Sequence, residues 1–94
     1  MADILTVIVT FNGMKWIEKC LRSVVASDVP SDLLVIDNCS EDGTPEWVQE
    51  HFPDIRLMHN SSNIGFAAAN NIGFRYALQH DYSFVYLLNQ DAWI

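Results

Sequence analysis

Two aspartates stand after apolar runs, where a β-strand would end. Asp37 closes the run LLVID, and Asp91 follows the run SFVYLL after Asn89 and Gln90. A carboxylate such as Asp91 can bind a hard divalent cation, which usually keeps water and phosphate oxygens as its other ligands. A carboxylate such as Asp37 can accept hydrogen bonds from a nucleobase or from ribose hydroxyls, or it can cap the loop that follows it. For both aspartates, an ordinary turn role competes with the ligand-binding role.

Two other segments offer contact surfaces rather than acids or bases. Phe11 follows the first apolar run and could stack on a planar base, although a lone phenylalanine is also typical of a core. Residues 63–71, NIGFAAANN, place a glycine and three alanines at the start of a predicted helix. Small residues there let a ligand or a backbone approach closely, and exposed amides at a helix start favour anions. Both ligand binding and close helix–sheet packing are expected of this segment.

Charge and composition exclude several classes of function. The formal net charge of the 94 residues is -7, so the surface repels phosphate backbones and nucleic-acid binding is not expected. For the same reason, a phosphate-bearing ligand should arrive with a cation. The chain has no run of about 20 apolar residues and no signal-peptide pattern, so we expect a cytoplasmic location without a transmembrane segment. Cys20 and Cys39 lack metal-ligand spacing and are expected to be reduced thiols.

The elements that must position these residues alternate regularly along the chain. Apolar, β-branched runs predict strands at residues 4–10, 33–37, 55–59 and 83–88, and helical periodicity predicts helices at residues 14–26, 45–51 and 65–79. Ile17, Leu21, Val24 and Val25 are expected to share the buried face of the first helix. Thr44, which precedes a proline, is expected to cap the second helix.

The predicted order is β-α-β-α-β-α-β, which indicates an α/β fold: a Rossmann-like, three-layer parallel sheet with helices on both faces. In such sheets, ligands bind beyond the carboxyl ends of the strands, where the strand order reverses. The polar groups that follow the four predicted strands should therefore meet at one edge of the sheet.

Four segments, taken together, resemble family 2 glycosyltransferases of the GT-A fold, especially the rhamnosyltransferase-like branch. They occur in the family's order and at similar spacing, and they cover essentially the whole chain. The segments are residues 7–12 (VIVTFN), 35–44 (VIDNCSEDGT), 63–73 (NIGFAAANNIG) and 87–92 (LLNQDA).

The resemblance implies roles for the matched positions. Asp91 would be the last carboxylate of a D-x-D-type motif and would bind Mg2+ or Mn2+ bridging a diphosphate. Phe11 would lie against the nucleobase, and Asp37 would bond the base or the ribose. The nucleotide-sugar-binding residues expected in full are Thr10, Phe11, Asn12, Asp37, Asn38, Asn63, Gly65, Phe66, Asn70 and Asn89. A UDP- or dTDP-sugar would be the donor, in cell-surface polysaccharide biosynthesis.

Two departures from the family pattern stand out. Asn89 occupies the first position of the D-x-D-type motif, which leaves one carboxylate for the metal. Family members also continue well beyond this point, so residues 1–94 are expected to be the N-terminal nucleotide-sugar-binding portion of a domain truncated after that motif. The catalytic base and the acceptor site would belong to the missing part. The portion alone is expected to be inactive in transfer and to self-associate through its exposed sheet edge. The full-length enzyme could be peripheral at the inner face of the membrane.

Three other classes of protein are alternatives to this interpretation. The first is a non-catalytic, truncated module that binds a nucleotide or nothing. The second is a receiver-type signalling domain, which needs an acidic cluster after the first strand, where this chain has Thr10, Phe11 and Asn12. The third is a dinucleotide-binding oxidoreductase, which needs G-x-G-x-x-G at the position where this chain has the single Gly13.

Overall fold

The computed structural model describes residues 2–92, which form four strands alternating with three helices. This order confirms the predicted α/β fold class. The elements, in chain order, are β1 (Ile4–Thr10), α1 (Ile17–Val25), β2 (Asp32–Asp37), α2 (Thr44–His51), β3 (Arg56–His59), α3 (Phe66–Gln79) and β4 (Phe84–Asn89).

The four strands form one sheet in the order β3-β2-β1-β4, and every neighbouring pair is parallel. Thr10 pairs with Asp37 at the end of β1 and β2, and Val9 pairs with Asn89 at the end of β1 and β4. From β1 the chain first adds β2 and β3 on one side and later adds β4 on the other side. The strand order therefore reverses at β1, and a ligand crevice is expected outside the carboxyl ends of β1 and β4.

Two apolar clusters hold the helices against opposite faces of this sheet. One packs Ile8, Val35 and Leu88 against α1 and α2, and the other packs inward residues of β1 and β2 against Ala69 and Ala77 of α3. These clusters make the fold three layers deep, as predicted. The central strand β1 is buried along nearly its whole length, because it is covered on both faces.

Helix α3 approaches the sheet closely at Gly73. A Cβ atom added there would lie 2.8 Å and 3.0 Å from the two Cγ atoms of Val7 on β1. The glycine is therefore needed for space rather than for an unusual backbone conformation. Burial of Asn70 and Gly73 on the same helix shows that this inner face is made of small or polar residues.

Three local predictions were wrong. Helix α1 begins at Ile17 rather than at Met14, because the amides of Trp16 and Ile17 both donate to the carbonyl of Gly13 in a preceding turn. Val25 does not belong to the buried face of α1, since it is 62% exposed. Thr44 is the first residue of α2 rather than its cap; Gly43, at a φ of 87°, precedes the helix, and the Thr44 hydroxyl donates to Asp42 instead.

No helix within residues 2–92 is both long enough and apolar enough to cross a membrane.

Candidate functional site

A cleft of about 340 Å³ opens at the edge where the strands end. It lies beside β1 and β4, where the strand order reverses. Apolar, amide and acidic side chains share its wall, so it could hold a ligand that has both a flat apolar part and a charged part. The lining residues are Val9, Phe11, Asn38, Asn63, Gly65, Phe66, Asn89, Gln90 and Asp91.

Most of the residues expected at the site meet in this cleft. Phe11 and Asp91 line the same cavity, as do Asn38, Asn63, Gly65, Phe66 and Asn89. The other four predicted residues are not among its lining. Thr10 and Asp37 are buried beneath the strand ends, Asn70 is buried in α3, and Asn12 is exposed in the loop after β1.

Asp37 is fully buried, and both of its carboxylate oxygens are engaged. Oδ1 accepts hydrogen bonds from the hydroxyls of Thr10 and Ser40, each at 2.6 Å, and Oδ2 accepts one from the Ser40 amide at 2.9 Å. Nε2 of His59 lies 3.4 Å from Oδ2. A carboxylate offers about four acceptor positions. In this conformation Asp37 therefore caps the loop after β2, and direct contact with a ligand requires one of these groups to move.

Asn38 ties together two loops that border the cleft. Its side-chain amide donates to the carbonyl of Gly65 at 3.1 Å, and its side-chain oxygen accepts from Asn60 at 2.9 Å. The Gly65 amide in turn donates to the side chain of Asn63 at 2.9 Å. The floor of the cleft, formed by Asn38, Asn63 and Gly65, is thus held together by hydrogen bonds between two loops.

Gly65 has a backbone conformation that only glycine adopts readily, with φ 88° and ψ 164°. A Cβ atom there would meet nothing within 4 Å. Conformation rather than crowding therefore requires glycine at this position. The open space beside it agrees with the expectation that a ligand can approach the start of α3 closely.

The backbone of Phe11, in the loop after β1, is hydrogen-bonded to Gln90, which follows β4. Its amide donates to Oε1 of Gln90 at 2.9 Å, and its carbonyl accepts from Nε2 of Gln90 at 3.0 Å. Phe11 is 43% exposed, so it is not a core residue. Of the two interpretations of Phe11, the geometry favours the one in which its ring remains free to contact a ligand.

Asp91 is exposed at the cleft, and its negative charge affects the pKa of a buried thiol, that of Cys20. Burial, and then the negative charge of Asp91, raise the pKa of the Cys20 thiol to about 11. Cys20 lies beneath the end of β4, with Sγ 3.6 Å from the carbonyl of Asn89. Within residues 2–92 no three His, Cys, Asp or Glu side chains are grouped as a metal site. A cation here would therefore depend on Asp91 together with oxygens of a ligand, which suits the chemistry of Mg2+.

Comparison with known proteins shows the family. The family described as Glycosyl transferase family 2 matches residues 6–94, nearly the whole chain. The chain belongs to glycosyltransferase family 2. It is 36% identical over 73 residues to N-acetylglucosaminyl-diphospho-decaprenol L-rhamnosyltransferase of Mycobacterium tuberculosis, which covers 76% of the chain and 24% of that relative. It is 29% identical over 92 residues to undecaprenyl-phosphate mannosyltransferase of Micrococcus luteus, which covers 95% of the chain and 38% of the relative.

Solved structures agree on the fold of this family 2 chain. Crystal structures of S. aureus TarS, one of them in complex with UDP, superpose over 100% of the chain with a TM-score of 0.84 at 24% identity. The mannosyltransferase PcManGT from Pyrobaculum calidifontis, in complex with GDP-Man and Mn2+, superposes over 97% with a TM-score of 0.80 at 26% identity. The chain spans 28% of the length of each of these neighbours.

Family membership decides between the classes compared above. The receiver-type and dinucleotide-binding interpretations are set aside, because the match places the chain among glycosyltransferases over residues 6–94. The expected GT-A architecture is confirmed by the shared fold. Residues 1–94 span about a quarter to two fifths of the length of the two curated relatives.

Sequence reasoning missed several contacts in this family 2 site. Gln90 has no role in the sequence-based prediction, yet its side chain binds the backbone of Phe11. Asp42, in the loop after β2, likewise has no predicted role, yet it accepts hydrogen bonds from the amides of Met14 and Thr44. Gly13, three residues after the end of β1, was the available signal, since a glycine in a loop can mark a place where another group approaches the backbone closely.

A larger cleft of about 550 Å³ lies at the opposite ends of the strands, near the starts of β2 and β3. Four of its polar or charged side chains contact one another in two pairs. Tyr82 donates to Asp32 at 2.5 Å, and burial followed by this bond raises the pKa of Tyr82 to about 12. Arg56 lies over the ring of Tyr76. None of the predicted site residues lines this cleft.

Proposed function

We propose that residues 1–94 form the N-terminal nucleotide-sugar-binding portion of a glycosyltransferase. The enzyme transfers a sugar from a nucleotide-diphosphate sugar, UDP- or dTDP-linked, to an acceptor hydroxyl with inversion. One observation carries this proposal: Phe11 and Asp91 line a single cleft at the reversal of strand order. A base platform and a cation-binding carboxylate on one cleft suit the two ends of a nucleoside diphosphate.

Each lining residue has a role in this proposal. Phe11 stacks on the base, and Gly65 with Phe66 forms the floor beneath the ribose and the phosphates. Asn38, Asn63 and Asn89 supply amide groups that can bond neutral hydroxyl and carbonyl groups. Thr10, Asn12 and Asn70 do not line the cleft, and their proposed part is to support the residues that do. Asp37 supports the base pocket from below, and any direct bond from Asp37 to base or ribose displaces one of its present partners.

Asp91 is the proposed ligand of a divalent cation, Mg2+ or Mn2+. Its carboxylate is exposed at the cleft, and the chain has an excess of negative charge that would otherwise repel a diphosphate. A bound cation would stabilise the negative charge that develops on the leaving diphosphate. The presence of Mn2+ and GDP-Man in the PcManGT complex supports this assignment by analogy.

The cleft lacks a general base of its own. Among the lining residues within 2–92, Asp91 is the one acidic side chain, and no histidine or lysine is present. If Asp91 binds the cation, proton removal from an acceptor must come from elsewhere. We therefore expect this portion to bind donor without transferring sugar efficiently, since general-base catalysis contributes about 10²–10⁴-fold.

Titration calorimetry with UDP, dTDP and GDP, with and without Mn2+, tests the proposal. We expect Mn2+ to tighten UDP binding and Asp91→Asn to remove most of that gain, about tenfold or more, equal to about 1.4 kcal/mol. Asp28→Asn, an exposed aspartate in the loop after α1, is the matched control and should leave the gain intact. If no nucleoside diphosphate binds under any condition, the alternative of a module that does not bind nucleotides is correct.

We also propose that a second copy of the chain pairs with β4, which lies at the edge of the sheet. Its sequence FVYLLN has no charge, and Phe84, Tyr86 and Leu87 are exposed although they are apolar or aromatic. An antiparallel pair about a two-fold axis at Tyr86 aligns Phe84 with Leu88 on one face and Val85 with Leu87 on the other. Unpaired strand edges of this kind favour such pairing.

Sedimentation velocity over a range of concentrations tests this pairing. Tyr86→Lys should shift the chain toward monomer, whereas Val25→Lys, an exposed apolar position on α1, should not. A monomer at all concentrations, or equal effects of the two variants, would contradict pairing through β4.

We also propose a cytoplasmic location, peripheral to the inner face of the membrane in a full-length enzyme. We further propose a role in cell-surface polysaccharide biosynthesis. The names of two relatives, which refer to diphospho-decaprenol and undecaprenyl phosphate, support it. Fractionation of cells that produce the full-length protein tests the location. Recovery of the protein outside the cytoplasmic and inner-membrane fractions would contradict it.

A further inference from the structure

Gln90 makes a two-bond bridge to the backbone of Phe11, and both residues line the cleft. It lies between Asn89 and Asp91 just after β4, and its side-chain amide both accepts from the Phe11 amide, at 2.9 Å, and donates to the Phe11 carbonyl, at 3.0 Å. A residue in an antiparallel ladder exchanges two bonds with its partner in the same way. The side chain of Gln90 thus plays the part of one more strand residue beyond the end of the sheet.

The bridge begins where regular pairing between β1 and β4 ends. Their last aligned residues are Val9 and Asn89, so the backbone of Phe11 lies beyond the ladder. A loop residue at this place would otherwise bond to water and sample several orientations. The two bonds to Gln90 give Phe11 a defined position relative to β4.

Gly13 leaves the space that the Gln90 side chain occupies. A Cβ atom on Gly13 would lie 2.4 Å from Oε1 and 3.0 Å from Cδ of Gln90. Gly13 is not among the glycines of positive φ, so its backbone conformation suits other residues as well. The absence of a side chain at Gly13 therefore matters because of Gln90.

We propose that Gln90 is a positioning residue that holds the base platform, Phe11, in fixed relation to the cation-binding carboxylate, Asp91. This inference rests on the proposed function, because it assumes that Phe11 receives the base and Asp91 the cation. One consequence is specific: substitution of Gln90, just after β4, should weaken binding of a nucleoside that has no phosphate and needs no metal.

The inference is tested with uridine in a metal-free buffer, by NMR titration, and with hydrogen exchange of the Phe11 amide. Gln90→Leu should weaken uridine binding about five- to tenfold and speed exchange of the Phe11 amide about tenfold or more, because both bonds are lost. Gly13→Ala should act in the same direction by displacing the flexible end of Gln90. Gln79→Leu, an exposed glutamine at the end of α3, is the matched control and should change neither quantity.

Two double variants separate positioning from general destabilisation. In a Phe11→Ala background, Gln90→Leu should weaken uridine binding no further, because its effect passes through the ring. Gln90→Leu combined with Gly13→Ala should weaken binding no more than either change alone. Additive effects in either pair would overturn the inference.

The possible failures are distinguishable. An unchanged exchange rate of the Phe11 amide in Gln90→Leu overturns the bridge, whatever the ligand does. If the bridge is present but the unsubstituted chain binds neither uridine nor UDP, the proposed function fails instead.

Discussion

The hydroxyl of Thr10 donates a hydrogen bond of 2.6 Å to the carboxylate of Asp37, and so joins the ends of β1 and β2 beneath the cleft. Both residues are fully buried. A hydrogen bond to an ionised group is roughly twice as strong as one between neutral groups. The bond supports the loop after β2 at the point where that loop reaches the cleft.

Replacement of this hydroxyl by a methyl group should destabilise the fold. We expect Thr10→Val to lower the free energy of unfolding by about 1–2 kcal/mol, because a buried carboxylate loses a donor. Thr6→Val is the matched control on the same strand, since Thr6 donates to the neutral hydroxyl of Ser31. Urea denaturation measures both, and a loss in Thr6→Val equal to that in Thr10→Val would contradict the charge-assisted role.

Gly73→Ala should also destabilise the fold, although alanine is the better helix former. The added methyl group would lie 2.8 Å and 3.0 Å from the Cγ atoms of Val7. Overpacking of this kind costs about 1–3 kcal/mol, which exceeds the helix-propensity gain of about 1 kcal/mol. In a Val7→Ala background the same change should become neutral or stabilising, because both Cγ atoms are gone. A loss of the same size in that background would mean that the crowding lies elsewhere.

The two thiols should differ strongly in reactivity. Cys20 is buried and its pKa is raised to about 11, so about one molecule in a thousand is a thiolate at pH 8. Cys39 is partly exposed in the loop after β2. Iodoacetamide followed by mass spectrometry should therefore label Cys39 in the folded protein, and Cys20 after unfolding in urea. Equal labelling of the two in the folded state would contradict this burial.

Asp42 should contribute stability that depends on pH. Slight desolvation acts to raise the pKa of the exposed Asp42, but hydrogen bonds from the Thr44 hydroxyl and from the amides of Met14 and Thr44 outweigh it and lower the pKa. A lowered folded-state pKa gives stability that is present above the unfolded pKa and is lost as the pH falls through the folded value.

Asp42→Asn provides the test, because the amide is neutral at every pH. At pH 7 we expect the variant to be less stable by about 1 kcal/mol or less, since Asp42 is exposed. The difference between the two proteins should shrink below about pH 4. Urea midpoints across this range measure it, and a difference that stays constant or grows in acid would rule out the charge of Asp42 as its source.

The fold was predictable because its strands are short apolar runs separated by helical periodicity. All seven elements were found, and the edge that holds the cleft followed from parallel pairing. Two of the three errors, at the start of α1 and at Thr44, arose where groups from other segments take part in local hydrogen bonding. The amide of Met14 donates to Asp42, and the Thr44 hydroxyl also accepts from the amide of Gly13, so neither residue behaves as its neighbours in sequence suggest.

The candidate site was predictable in part. Phe11 and Asp91 could be assigned to one edge, because each follows a parallel strand. The bridge from Gln90 to Phe11 could not be foreseen, since it joins residues 79 positions apart through a side chain whose type is common on surfaces. Of the partners of Asp37, Ser40 lies three residues away and fits a local cap, whereas Thr10 and His59 depend on strand order.

The bonds from Asn38 to Gly65 and Asn60 have a consequence for how fast a ligand can bind. Loops that are already joined in this way have little conformational freedom left to lose on association. For the proposed nucleotide, association would therefore need no slow rearrangement of these loops, and selectivity among bases would depend on how fast the wrong base dissociates.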